Sequence, residues 1–175
     1  MKILLKNAIV LNPLSPFHSS QHDILIESGI ITQIANNIKG DNQTQKYSFD
    51  NLHVSVGWFD PGVSFGEPGY EERETLSNGI EVAAKSGFTK ILLNSNTHPI
   101  PDSSSHIGHL IKMTEGSTTK VYPMGALSVE SNGNQLASLY DMHTEGAIAF
   151  SDHKNSIKKA NLLKIALQYA QSFEG

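Results

Sequence analysis

The residues in this chain that are equipped for chemistry fall in four short stretches. The first runs Asp60-Pro61-Gly62-Val63-Ser64-Phe65-Gly66-Glu67-Pro68-Gly69-Tyr70-Glu71. The second is Asn94-Ser95-Asn96-Thr97-His98-Pro99-Ile100-Pro101-Asp102, and the third Pro123-Met124-Gly125-Ala126-Leu127. The fourth is Gly146-Ala147-Ile148-Ala149-Phe150-Ser151-Asp152, followed by His153. Their carboxylates, amides and imidazoles offer acid–base work, substrate hydrogen bonding or metal ligation. Each has a plainer reading as well. Asp152 alone is a weak zinc ligand and serves equally as a loop carboxylate. Asn96, before Thr97 and Pro99, suits a turn. Glu67 and Glu71 lie four apart in a Pro-Gly loop, which gives an acid–base pair no fixed geometry. The chain has no cysteine, which removes thiolate metal sites, cysteine nucleophiles and disulfides together.

The elements that must position these stretches follow from periodicity. Lys2 to Leu11 reads as a strand. Asp23 to Glu27 and Ile30 to Ile34 flank Ser28-Gly29, a turn pair that predicts a hairpin. After residue 50 the pattern becomes strand–helix alternation. Strands are expected over Leu52–Phe59, Thr89–Asn94, Lys120–Leu127 and Ala147–Phe150. Helices are expected over Glu72–Ser86, Ser103–Glu115, Gln135–His143 and Ser156–Phe173. Each chemical stretch then sits at the C-terminal end of a strand, where parallel α/β folds place their sites. The fold class is α/β: a small β domain over residues 1–51, then four βα units over 52–175. Four units amount to half of a (β/α)₈ barrel, since a complete one takes about 250 residues. An open doubly wound sheet fits the length, but Gly62, Gly66 and Gly69 lack the G-x-G-x-x-G spacing.

Composition narrows the partners. A net charge of −4 with no basic cluster gives a nucleic acid nothing to bind. Nowhere do 18 apolar residues line up, and Lys6 and Asn7 interrupt the N-terminal apolar run, so neither a membrane span nor a signal peptide is expected. A cytoplasmic protein is the expectation.

The four stretches, in this order and spacing, resemble the dihydroorotases of the amidohydrolase superfamily, and the resemblance covers essentially the whole chain. It is carried by Glu67-Pro68-Gly69-Tyr70-Glu71 with Glu74-Thr75, by Asn96-Thr97-x-Pro99-x-Pro101-Asp102, and by Ala149-Phe150-Ser151-Asp152. The opening strand–hairpin unit and Leu167-Gln168-Tyr169-Ala170 add to it. The resemblance implies a small β domain and a TIM-type barrel holding one or two zinc ions. It also implies opening or closing of the dihydroorotate ring in pyrimidine biosynthesis, with metal activating a water and polarising the ring amide. The family's first-strand motif is Asp-x-His-x-His followed by Arg, and alternate histidines on a strand point to one side and chelate one ion.

Against that motif Asp60 is in place, but Gly62 and Ser64 stand where the histidines belong, and Gly66 stands where the substrate-gripping arginine belongs. Glycine offers no ligand, a neutral serine hydroxyl is a poor one for zinc, and losing the arginine removes a bidentate contact. By resemblance, Asn96 matches an asparagine that binds the substrate carboxylate, and Asp152 matches an aspartate that bridges two metals. The family's later ligands would lie beyond Gly175. Among the histidines, His98 and His153 are the ones placed to replace lost ligands. His106 and His109 fall on an outer helix, and His18 and His22 in the small β unit. No cofactor is expected in this chain, although active members of the family carry zinc. The expectation is therefore an inactive dihydroorotase-like subunit retained for assembly, with aspartate carbamoyltransferase as a partner the resemblance suggests. The competing expectation is an active metal-dependent cyclic amidohydrolase completed by residues outside this chain or by a partner. Four strands cannot close a barrel, so a second copy, the missing C-terminal half or a partner is expected to cover the strand edges and faces carrying Val54, Leu92, Val121 and Ile148.

Overall fold

Alternation of apolar side chains along Lys2–Leu11 produces strand β1, whose Leu4, Ala8 and Val10 are buried. The computed structural model describes residues 1–173; Glu174 and Gly175 of the expected second domain lie outside them. The chain divides between Val56 and Gly57 into two compact units.

In the first unit β1 is the centre of a five-stranded sheet. It pairs antiparallel with β2 (Gln21–Glu27), which pairs antiparallel with β3 (Ile30–Ala35). On its other side β1 pairs parallel with β4 (Gln45–Ser48) and β5 (His53–Ser55). The expected hairpin forms between β2 and β3. Ser28 (φ 51°) and Gly29 (φ 82°) both take the left-handed conformation that a tight hairpin turn needs. A bulge between Leu5 and Ala8 puts Asn7 at φ 54° and turns its N–H onto a carboxylate oxygen of Asp23, 3.0 Å away.

Asp23 is only 2% exposed and also accepts from the Lys6 ammonium and from the N–H of Ile38 at 2.9 Å. Burial pushes its carboxyl up, but the Lys6 hydrogen bond and the two backbone N–H groups outweigh it, and the pKa is lowered. A lowered folded pKa contributes stability that is present above the unfolded value of about 3.9 and is lost as pH falls through the folded value. Asp23→Asn is therefore expected to destabilise at neutral pH by roughly 2 kcal/mol. It should also flatten the acid limb, so that wild type loses more stability between pH 5 and pH 3 than the variant does. Urea midpoints measured across that range check both.

The strand expected over Leu52–Phe59 is two strands belonging to different units. His53–Ser55 adds to β1, and β6 (Trp58–Val63) opens the second sheet. Val54, expected to face a barrel interior, instead packs in the first unit against the Ala8, Val10 and Ile24 cluster. An apolar run is legible in sequence, but which sheet takes each half of it depends on pairing partners distant in the chain.

The second unit is a parallel sheet in the order β6–β7–β8, with β7 at Phe88–Leu93 and β8 at Lys120–Pro123. Helices α1 (Leu76–Lys85), α2 (Ser104–Met113), α3 (Leu139–Glu145) and α4 (Ala160–Ala170) follow the strand ends in βα succession. Thr75 caps α1 by accepting from the N–H of Asn78 at 3.3 Å. Leu76 and Ile80, one helical turn apart, pack with Ile91, Leu93, Leu110 and Val121 into one core. Ile107, Leu139, Met142, Ala147 and Ala166 form a second core beneath α2, α3 and α4. The fourth expected strand, Ala147–Phe150, is reduced to a single parallel bridge from Phe150 to Gly125. Two backbone bonds hold it: Gly125 N–H to Ala149 O at 3.0 Å, and Ser151 N–H to Gly125 O at 2.9 Å. Its strand is short, but it is in register to present Asp152 beside the end of the sheet.

Ile91, Leu93 and Val121 point at the helices, so alternation sends Leu92 and Tyr122, register neighbours, to the opposite face. Leu92 on that face is buried and not uncovered as expected, and Val121, expected to face a barrel interior, packs in the helix-side core instead. Phe59, Lys90 and Lys120 share the face, and Trp58, Phe59 and Ile148 are exposed. This is the side that a complete barrel would enclose.

Candidate functional site

The end of β6 leads into a tightly hydrogen-bonded loop. The N–H groups of Gly66 and Glu67 both donate to Glu74 O, at 2.9 and 3.1 Å, and Tyr70 N–H donates to Gly66 O at 3.0 Å. Both candidate acid–base carboxylates are engaged in holding this segment. Glu67 accepts from the N–H of Leu76 at 2.7 Å, at the start of α1, and Glu71 from the N–H of Gly69 at 2.8 Å. The N–H of Gly69, and after it that of Glu71 itself, lowers the Glu71 pKa.

The three positions of the altered motif differ in what they could accommodate. At Gly62 a β-carbon would meet only the Asn94 side-chain amide, at 3.9 Å, so the position is open. The Ser64 hydroxyl accepts a hydrogen bond from Asn94 Nδ2 at 3.0 Å. Gly66 is buried, and a β-carbon there would lie 1.8 Å from the carbonyl oxygen of Tyr70. Position 66 thus has no room for any side chain in this loop.

Asn96 follows the end of β7 between buried Ser95 and Thr97. The Ser95 hydroxyl donates to Ser151 O, which ties this turn to the fourth strand segment. Asp152 is 4% exposed, and both its carboxylate oxygens are taken by one residue: Oδ1 accepts from the N–H of Ser128 at 2.9 Å, and Oδ2 from its hydroxyl. Ser128 is itself fully buried. Asn96, Asp152, His98 and His153 do come together, lining one cavity of about 230 Å³ with Tyr70, Ser131, Lys154 and others. Gly62, Ser64 and Gly66 are not among its lining residues. The remaining histidines lie elsewhere, as their sequence positions imply. His106 and His109 are on α2, with His106 Nδ1 3.3 Å from Asp102 Oδ1, and His22 Nε2 is 2.9 Å from the Ser20 hydroxyl in the first unit.

These residues do not fit zinc. Among the described residues no three histidines, aspartates or glutamates gather where they could hold an ion. The serine and glycine at the motif supply at best one neutral oxygen, which leaves Asp152, bonded to Ser128, as a lone carboxylate. The arrangement can present neutral hydrogen-bonding groups and a polar cavity; it offers no ligand set for activating water. Sequence reading did not single out Ser128, Ser131 or Lys154, since nothing in their local sequence marks them. Only their packing against Asp152 or their place around the cavity does.

Residues 53–174 match the family model described as dihydro-orotase-like. The chain is 36% identical over 99% of its length to a dihydroorotase of Syntrophus aciditrophicus, and 32% identical over 99% to one of Syntrophotalea carbinolica. It spans 41% of each of those relatives. Among solved structures, a dihydroorotase aligns over 99% of this chain and 49% of its own, with a TM-score of 0.69 and 13% identity. An L-hydantoinase (dihydropyrimidinase) of Arthrobacter aurescens aligns over 85% of this chain and 32% of its own, with a TM-score of 0.67 and 18% identity. The structural likenesses show a shared fold, and the sequence matches place the chain in the dihydro-orotase-like family.

Proposed function

We propose that this chain is a non-hydrolytic dihydroorotase-family domain, cytoplasmic and retained in pyrimidine biosynthesis for assembly and ligand binding. The observation that carries the reading is the state of the ligand positions. Gly62 and a Ser64 hydroxyl bonded to Asn94 stand where the resemblance places two imidazoles, and Asp152, bonded to Ser128, is a lone carboxylate. Assembly is supported by the exposed Trp58, Phe59 and Ile148 and by the exposed Leu163, Ile165 and Leu167 of α4. In the family's barrel these would be covered by later strands and helices; a second copy or aspartate carbamoyltransferase are the other candidates to pack there. Among the described residues no helix is long and apolar enough to cross a membrane.

A second reading has its own observation. The open space at Gly62 leaves room for a metal-bound group supplied from outside this chain, which would make the protein an active cyclic amidohydrolase. One set of measurements separates the two. The purified chain is expected to retain no stoichiometric zinc and to give no opening of dihydroorotate above background. Gly62→His with Ser64→His should raise affinity for zinc or nickel at least tenfold, because alternate positions project to one side. That double variant should still not hydrolyse. Chelator-sensitive ring opening by the unmodified protein would establish the second reading instead.

A further inference from the structure

The chain has two Asn-Gly pairs, Asn78-Gly79 and Asn132-Gly133. In such a pair the glycine nitrogen is an unusually accessible backbone nucleophile, because no β-carbon shields its approach to the asparagine side-chain carbonyl. Both pairs lie in the second unit, and in both the asparagine is exposed and the glycine buried. Their backbones differ. Asn78 and Gly79 sit inside α1, where Gly79 N–H donates to Thr75 O at 3.0 Å and the Asn78 side-chain Nδ2 to Glu74 Oε1 at 2.9 Å. Releasing that nitrogen means breaking the helix. Asn132 instead closes a short turn over Val129–Ser131. Glu130 (φ 52°) and Ser131 (φ 51°) are both left-handed there, a conformation that is costly for residues with a β-carbon.

The Gly133 nitrogen is held by a side chain. Its N–H donates to the Ser128 hydroxyl at 2.8 Å, and that hydroxyl donates onward to Asp152 Oδ2. The Asn132 side-chain oxygen accepts from Asn134 N–H at 3.0 Å, which draws electron density from the amide carbon and makes it a better electrophile. Attack is prevented by the backbone. At ψ −4° the Gly133 nitrogen nearly eclipses the Asn132 nitrogen and not its β-carbon. Turning ψ toward the side chain swings the peptide plane and pulls the Gly133 N–H off Ser128.

We infer that Asn132-Gly133 is a latent self-modification site that deamidates through a cyclic imide, and that Ser128, positioned by Asp152, is the latch that keeps it closed. On release, the Gly133 nitrogen bonds to the Asn132 side-chain carbonyl carbon. The bond from that carbon to Nδ2 breaks, and ammonia leaves with the proton given up by Gly133. Water then opens the imide, at one carbonyl to give aspartate and at the other isoaspartate. Either product puts a carboxylate in a surface hollow that Lys154 and Lys158 also line.

The test follows amide-to-acid conversion at each asparagine by peptide mass spectrometry, with the full chain incubated at neutral pH and physiological temperature. Asn78 is the internal reference for global unfolding. In denaturing urea the two pairs are expected to convert at similar rates. In the folded wild type both should be slower, with Asn132 ahead of Asn78. Low urea should leave the Asn132 rate unchanged, because opening a turn exposes little surface, while the Asn78 rate climbs. Ser128→Ala should accelerate Asn132 about tenfold and leave Asn78 at its wild-type rate. In a folded Ser128→Ala protein, an unchanged Asn132 rate or an equal acceleration at Asn78 overturns the latch. If that variant does not fold, the wild-type urea series decides. A flat Asn132 rate beside a rising Asn78 rate supports local release, and a parallel rise at both overturns it.

Discussion

Gly66→Arg is expected to destabilise the second unit by about 3 kcal/mol or more, even though it restores the residue that the family carries there. The cause is steric. A β-carbon at 66 would lie 1.8 Å from Tyr70 O and 3.1 Å from Glu74 O, and both are backbone atoms that cannot swing aside. The same carbonyl of Glu74 accepts from Gly66 and Glu67, so relieving the clash means opening the hydrogen-bonded loop that leads into α1. Gly62→Ala is the matched control, since its new methyl group would meet only the Asn94 amide at ordinary contact distance. Urea unfolding of the two variants beside wild type measures the difference. Equal midpoints for Gly66→Arg and wild type would show that the loop adopts another conformation that tolerates a side chain. Restoring the whole motif should therefore cost stability at one position while opening metal affinity at the other two.

Asp152→Ala is expected to cost about 3 kcal/mol, with no change in the metal content of the purified protein. The two oxygens of this carboxylate satisfy a backbone N–H and a hydroxyl on Ser128, both buried, and removing them leaves two donors without partners. Each unsatisfied buried donor costs about 1–3 kcal/mol. The Ser128 hydroxyl also accepts from the N–H of Gly133 at 2.8 Å, so the loss propagates into the turn over residues 129–133. Asp152→Asn should recover part of the stability, because its amide oxygen still accepts from the Ser128 N–H. A metal ligand would behave differently: its removal would release zinc, and stability would then depend on added metal. Thermal unfolding with and without chelator, read on wild type and both variants, distinguishes these behaviours. Chelator-dependent stability in wild type would assign Asp152 to a metal and end the structural account given for it.

Much of the architecture was legible in the chain. Strand–helix alternation after residue 50 and the Ser28-Gly29 hairpin depend on local periodicity and turn chemistry, which a sequence carries directly. The βα units and their order were readable for the same reason, and the family from the resemblance carried by the junction stretches. Helix ends were less so: α1 begins at Leu76 and not at Glu72, because Thr75 makes the capping bond and Glu67 reaches in from the loop to the first free N–H. What positions 62 and 64 can offer was also a matter of sequence, since a glycine has no imidazole wherever it is placed.

Other features were decided only by tertiary packing. The break of the 52–59 run between two sheets depends on β5 finding β1 and β6 finding β7, partners far away along the chain. That Gly66 has no room for a side chain depends on the carbonyl of Tyr70 folding back on it, and that Asp152 is engaged depends on Ser128, 24 residues earlier. The cavity draws on Tyr70, Asn96, Ser131 and Lys154, which share no local pattern and meet only because parallel strands end on one side of the sheet. Residue identity alone decides which groups each position can offer. What the remaining groups can bind is set by long-range contacts, whose geometry comes from burial and hydrogen bonding across the whole unit.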